Sequence, residues 1–298
     1  MASWVWLDGR LVEAGVPHLN VSDRGFQLGD GIFETARARR GVVIELDEHL
    51  ARLRESADAL AILLEIDDAT LAEAIADLLA AEDLAGTGSE PGDAAPGDAA
   101  LRITISRGPL ARRGLLPPGF EDVRPTIAIQ AWPYLPPSEL LTRGVRAIPS
   151  AVRRDPRSPL AGIKSTSRAD YVYAKLEASR AGADDALFLT TDGAISEATS
   201  ANVWVVTGGN LATPSRSSAV LAGTTRTWLL AHAAAIGLEA REARIRPQEL
   251  LAADEAFLSS TVREVMPLVG VDGVAVGGGQ PGPAAAALQA ALRELAGG

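Results

Sequence analysis

The feature that most constrains this chain is a change of hydrophobic period within its first third. Asp8-Gly9 stands between the short apolar runs SWVWL and RLVE, a strong signal for a two-residue hairpin. A second hairpin is predicted where IFETARAR and VVIEL flank Arg40-Gly41. From Asp47 the period lengthens. Leu50, Leu53, Ala57, Leu60 and Leu64 recur at helical spacing, and Leu71, Ile75, Leu78 and Leu79 mark another helix ending near Asp83. Hairpins followed by helices, without strict strand-helix alternation, argue against a regular parallel βαβ sheet and for an α+β chain of two domains.

The smaller N-terminal α/β domain is placed at 1–131. Within it Ala85–Ala99, rich in Gly, Pro, Ala and Asp and free of apolar periodicity, reads as a flexible surface loop. The prolines of WPYLPPSE mark an interdomain linker at 132–138. The larger C-terminal domain fills 139–298. Strands are expected over 145–152, 186–190, 201–206 and 253–259, and helices over 169–181, 225–236 and 283–296.

Composition removes several chemistries. There is no cysteine, and His18, His49 and His232 are the only histidines, so a cysteine nucleophile, a disulfide framework and a Cys/His zinc site are excluded and no metal is expected. A net charge of −10 argues against nucleic acid or an anionic membrane as partner. No segment approaches 18 uninterrupted apolar residues and the N-terminus has no leader pattern, so a cytoplasmic protein is expected. Of 28 basic residues only Lys164 and Lys175 are lysines, and an amine nucleophile has no other source.

Lys164 sits in GIKSTSRAD, between a proline-containing loop and a helix; taken alone it reads as a solvated surface residue. DGAISEATSANVWV then places Glu197 at the end of a short strand and Asn202 at the start of the next. In LAGTTRTW, Gly223, Thr224 and Thr225 immediately precede an apolar-periodic helix, an arrangement that serves equally as an anion site or as a plain N-cap. Ser260 and Thr261 follow a buried strand, where two hydroxyls either serve the same anion or cap the next turn.

Six blocks in order, SDRGFQLGDGIFETAR, DEHLARLRESA, GIKS, DGAISEATSANVW, LAGTTR and ADEAFLSSTVREVMPL, resemble the fold-type IV pyridoxal-phosphate enzymes: D-amino-acid and branched-chain aminotransferases and aminodeoxychorismate lyases. The resemblance runs from about Trp6 to Gly273. It implies a two-domain architecture with pyridoxal 5'-phosphate between the domains and a homodimer. It gives Lys164 the Schiff base, for which its amine has to be deprotonated, and Glu197 the pyridine nitrogen. Arg52, the helix start at Gly223, Thr224 and Thr225, and Thr261 with Ser260 beside it would bind the phosphate, Leu221 would pack on the ring, and Asn202 joins the cofactor set. The tyrosine usual near the phenolic oxygen is replaced by Ala169, with Tyr171 and Tyr173 nearby.

Substrate residues are expected at Phe33, Arg37, Arg112 and Arg113. Arg112 aligns with the arginine that traps the carboxylate in D-alanine-type enzymes, but Gly114 replaces that family's histidine and Phe33 its tyrosine. The reaction expected first is transamination between a D-amino acid and a 2-oxo acid, extending to (R)-amines because the trap is incomplete. QLGDGIFETARA and SAVRRDPRSPLAGIKS look like an aminodeoxychorismate lyase, which releases pyruvate and 4-aminobenzoate. A branched-chain L-amino-acid aminotransferase and a noncatalytic cofactor-binding scaffold are the remaining readings.

Overall fold

A computed structural model describes residues 2–86, 97–112 and 114–295. Most of the expected flexible loop and the candidate Arg113 lie outside the described residues. Packing divides the chain into Met1–Leu135 with Ile163–Arg168, and Pro136–Gly162 with Ala169–Gly298. The Lys164 segment, assigned to 139–298 from the sequence, thus groups with the first unit.

The first unit contains β1 (Trp4–Leu7), β2 (Arg10–Glu13), α1 (Arg24–Leu28), β3 (Gly31–Arg39), β4 (Val42–Val43), α2 (Leu46–Ala59), α3 (Asp68–Ala81), β5 (Ala99–Ser106) and β6 (Thr126–Pro133). Its strands form one antiparallel sheet in the order β2-β1-β6-β5-β3-β4. Alternation along β3 and β5 sorts the side chains. Ile32, Ala36, Ala38, Leu101, Ile103 and Ile105 join Leu50, Leu53, Leu71, Ile75 and Leu78 of α2 and α3 in one buried core. Phe33, Thr35 and Arg37, with Arg102 and Thr104, take the opposite face. Asp67 caps α3 by accepting the Thr70 N–H at 2.8 Å.

The segment 163–168 adds to the start of β3. Phe33 N–H donates to the Lys164 carbonyl and Thr166 N–H to that of Gly31, both at 2.9 Å. Gly31 is needed there because a Cβ would lie 2.6 Å from the Ile105 carbonyl oxygen.

The second unit contains α4 (Ser138–Arg143), β7 (Val145–Arg154), α5 (Ala169–Arg180), β8 (Asp185–Thr190), β9 (Ile195–Ala198), β10 (Asn202–Thr207), β11 (Asn210–Pro214), α6 (Thr224–His232), β12 (Glu239–Ala243), α7 (Pro247–Leu251), β13 (Glu255–Ser260), β14 (Glu264–Val271), β15 (Val274–Ala275) and α8 (Pro283–Leu295). The helix expected over 225–236 ends at His232 and tightens to a 3-10 turn before Gly237. Its nine-stranded mixed sheet runs β12-β11-β10-β13-β14-β7-β8-β9 with β15 paired to β14 off that path, and β9 returns to pair with β10 through Glu197 and Asn202. Six strands therefore close into a ring. Val203, Val205, Leu258, Met266 and Leu268 fill one side, while Trp204 and Phe257 pack outward with Leu229 of α6 and Leu288 of α8. Burial on both faces explains why NVWVV lacks the alternation of a half-exposed strand.

Candidate active site

In the first unit, Lys164 Nζ lies 4.5 Å from the centroid of the Phe33 ring. Two guanidinium groups share that ring, Arg102 with Cζ at 3.8 Å and Arg168 at 5.6 Å. Burial, and secondarily the charge of Arg168, push Arg102 below the usual arginine pKa. Arg102 was not among the substrate residues expected from the sequence. Its signal was the alternation of LRITIS, in which Arg102 and Thr104 interrupt an apolar series.

The expected substrate arginines are placed differently. Arg37 is buried and pairs with Asp98 at 3.7 Å. Arg112 is exposed on the loop after β5. Arg24 fixes that loop by donating to the Gly114 and Leu115 carbonyls. Arg107, beside the end of β5, is committed to Asp30 and to the carbonyls of Leu60 and Ala61.

Glu34 is the next residue after Phe33 and points to the helical side. Arg52 grips it bidentately, Nε to Oε1 and Nη2 to Oε2, both at 2.8 Å, and His49 Nδ1 lies 2.9 Å from Oε2. Burial works to raise the Glu34 pKa. The hydrogen bonds from Arg52 and His49 and the charges of Arg52 and Lys164 outweigh it and lower the pKa to about 2. Arg52 is thereby held in one orientation by two partners the sequence did not single out.

In the second unit Glu197 is 5 % exposed, on the seam of the strand ring. Its Oε1 accepts from the Tyr171 hydroxyl and its Oε2 from the Leu221 N–H, each at 2.9 Å. Arg154 Nη2 is 3.6 Å from Oε1 and also donates to the Ala161 carbonyl, while Nη1 donates to the Tyr171 oxygen. Tyr171 is therefore an orienting partner of Glu197.

Asn202 Nδ2 donates to the Leu221 carbonyl at 3.0 Å and so braces the Leu221–Gly223 turn. A Cβ on Gly223 would sit 2.3 Å from Asn202 Oδ1, which is why a glycine opens this helix. Gly223 is the backbone N-cap of α6 without a side-chain cap bond, and Thr224 and Thr225 behind it are buried. Thr224 Oγ1 lies 3.1 Å from Thr261 Oγ1. Ser260 Oγ accepts the Arg263 N–H at 3.2 Å, the turn-capping alternative. Lys175 donates to the Asp184 carbonyl and lies 3.8 Å from Asp185. Among the described residues no group of three His, Cys, Asp or Glu side chains is placed to hold a metal, and no helix is long and apolar enough to cross a membrane.

The primary amine of the first unit, and in the second unit the buried carboxylate and the glycine-started helix with two threonines, are each of a donor type that suits pyridoxal phosphate. The family profile described as amino-transferase class IV matches residues 31–271, and enzymes of this class use pyridoxal phosphate. The D-alanine aminotransferase of Bacillus licheniformis is 32 % identical over 289 residues, 97 % of this chain and 95 % of that protein. The aminodeoxychorismate lyase of Bacillus subtilis is 30 % identical over 285 residues, 96 % of this chain and 92 % of that protein. The solved branched-chain amino acid aminotransferase of Escherichia coli superposes with a TM-score of 0.90 at 28 % identity, covering 99 % of this chain and 95 % of its own. The chain belongs to the class IV aminotransferases, α+β enzymes of fold type IV.

Proposed function

We propose that this protein transfers the amino group of a D-amino acid, and of (R)-amines, to a 2-oxo acid. When bound, pyridoxal phosphate supplies the electron sink for the bond broken at the substrate α-carbon. Lys164 would hold the cofactor through its amine and would be the base that carries the proton of the substrate α-carbon. Glu197, aimed by Tyr171 and the Leu221 N–H, would accept the N–H of the cofactor's ring. Arg52, the N–H groups that open α6, Thr225 and the Thr224–Thr261 pair take the phosphate. Asn202 and Ser260 brace the turns that carry them. Leu221 packs on the ring.

The observation that carries the reading is the Lys164 amine set on an apolar ring that it shares with two guanidinium groups, a setting for an anionic substrate at a nucleophile. The D-amino-acid preference is supported by the likeness to a D-alanine aminotransferase along nearly the whole chain. Amine use is supported by Phe33 and Gly114, which remove two carboxylate ligands of D-alanine-type enzymes. The reading extends to a cytoplasmic homodimer, for which the 75 % exposed Phe26 offers apolar surface to cover.

Incubation with pyridoxal phosphate should give a visible absorbance band, absent in Lys164→Ala. D-alanine should convert that band and, with 2-oxoglutarate present, yield pyruvate and glutamate. If D-alanine is inert while aminodeoxychorismate gives pyruvate and 4-aminobenzoate, the lyase reading replaces this one.

A further inference from the structure

We infer that Asp185 is a positioning residue for the cofactor phosphate: through Arg263 and Thr199 it holds in place both the turn that carries Thr261 and the turn between Glu197 and Asn202. The inference rests on the reading that Thr261 takes the phosphate; the geometry is that of Asp185 itself.

Asp184 and Asp185 stand at the start of β8, and strand alternation sends them to opposite sides. Asp184 remains partly exposed, taking the Arg143 guanidinium on both oxygens at 2.7 Å and the Arg146 N–H at 2.9 Å. Asp185 is fully buried. A carboxylate cut off from water is tolerated only when its oxygens are paired and hydrogen-bonded. Oδ1 accepts from the Thr199 hydroxyl and from the Ala186 N–H, the latter at 2.8 Å. Oδ2 accepts from Arg263 Nη1 at 3.3 Å and lies 3.8 Å from Lys175 Nζ. Lys175 comes from α5, whereas Thr199 and Arg263 come from two separate turns.

Those turns are the ones a phosphate site on this unit depends on. Thr199 lies between Glu197 and Asn202, which pair across the seam of the strand ring. Asn202 in turn donates to the Leu221 carbonyl ahead of the start of α6. Arg263 lies in the β13–β14 turn, two residues after Thr261, and its N–H is donated to Ser260 Oγ. Backbone and side chain therefore both tie Arg263 down. Across the gap between the turns, Thr261 Oγ1 stands 3.1 Å from Thr224 Oγ1. Binding groups have to be held to within about 0.5 Å, a precision that a turn gains from supporting bonds. Charge compensation for Asp185 already has a source in Lys175 on a helix; Arg263 adds a link from the same carboxylate to the turn of Thr261.

The test is titration of the full-length protein, freed of cofactor, with pyridoxal phosphate and with pyridoxal, which has the same ring and aldehyde but no phosphate. The visible absorbance band is the readout. Arg263→Gln should raise the Kd for pyridoxal phosphate about tenfold and leave that for pyridoxal within about twofold, the scale of one charge-assisted hydrogen bond made less well. Arg263→Lys keeps a charged donor and should recover most of that loss. Asp185→Asn should show the same selective loss, and the double variant Asp185→Asn with Arg263→Gln should be no weaker than the weaker single, because both break one link. If melting curves show that Asp185→Asn does not fold, the partly exposed Arg263 carries the test. Thr261→Val should reproduce the selective loss. An unchanged ratio of the two constants in Thr261→Val removes Thr261 from the phosphate site and takes this inference with it. A selective loss in Thr261→Val beside an unchanged ratio in Arg263→Gln, or an equal loss for both ligands in Arg263→Gln, overturns the inference alone.

Discussion

Phe33 and Glu34 are consecutive on one strand and face opposite sides of the same sheet, and the two sides handle charge in opposite ways. On the helical side Glu34, Arg52 and His49 form a buried set in which the carboxylate takes a bidentate guanidinium and an imidazole. On the other side Arg102, Arg168 and Lys164 surround an apolar ring, and Arg102 has no carboxylate among the described residues. The first arrangement is finished by the chain and fixes Arg52; the second gathers three cations about one ring. A buried pair punishes loss of one partner, because the other charge is left desolvated. An uncompensated half-buried cation is already strained, and its removal costs the fold little.

The sharpest way to break this comparison is to remove one charge from each side. Glu34→Gln strands Arg52 and should cost about 3–5 kcal/mol in urea unfolding, with weakened uptake of pyridoxal phosphate. Acid should act on the same pair. The Glu34 pKa falls from 4.5 to about 2 on folding. The folded state thus binds fewer protons, and this contribution is fully present above pH 4.5 and is lost as pH falls towards 2. At 1.36 kcal/mol per unit it amounts to about 3 kcal/mol, and a melting series from pH 5 to 2 should show it flattened in Glu34→Gln. Gly223→Ala forces a Cβ against Asn202 and should cost about 1–3 kcal/mol while weakening cofactor binding. The smallest effect on stability belongs to Arg102→Gln, expected within about 1 kcal/mol of wild type. A cost equal to that of Glu34→Gln would erase the distinction between the two sides.

Much of this was legible in the chain. The Asp8-Gly9 and Arg40-Gly41 hairpins and the helices after Asp47 and around Leu71 follow from turn chemistry and periodicity, and the structure has them as β1–β2, β3–β4, α2 and α3. The strand Glu239–Ala243 was illegible because EAREA has no apolar pattern; its place comes from parallel pairing with β11. Glu264–Val271 was missed as a strand for a related reason, since EVMPLVGV is buried at every position but Gly270 and carries a proline. The packing of the Lys164 segment beside β3 depends on pairing between residues more than 130 positions apart, which no local signal encodes. Lys164 and Glu197 were singled out as candidates because ordered motif blocks carry them. Glu34 and His49 were not, because each acts through Arg52, a neighbour that only folding supplies.

The most direct test of the account is where the cofactor attaches. The protein incubated with pyridoxal phosphate should be reduced with borohydride, digested and mapped by mass spectrometry, with only two lysines available to be modified. The account predicts the phosphopyridoxyl group on the peptide containing Lys164 and an unmodified Lys175. Modification of Lys175 alone, or of neither lysine, would contradict it.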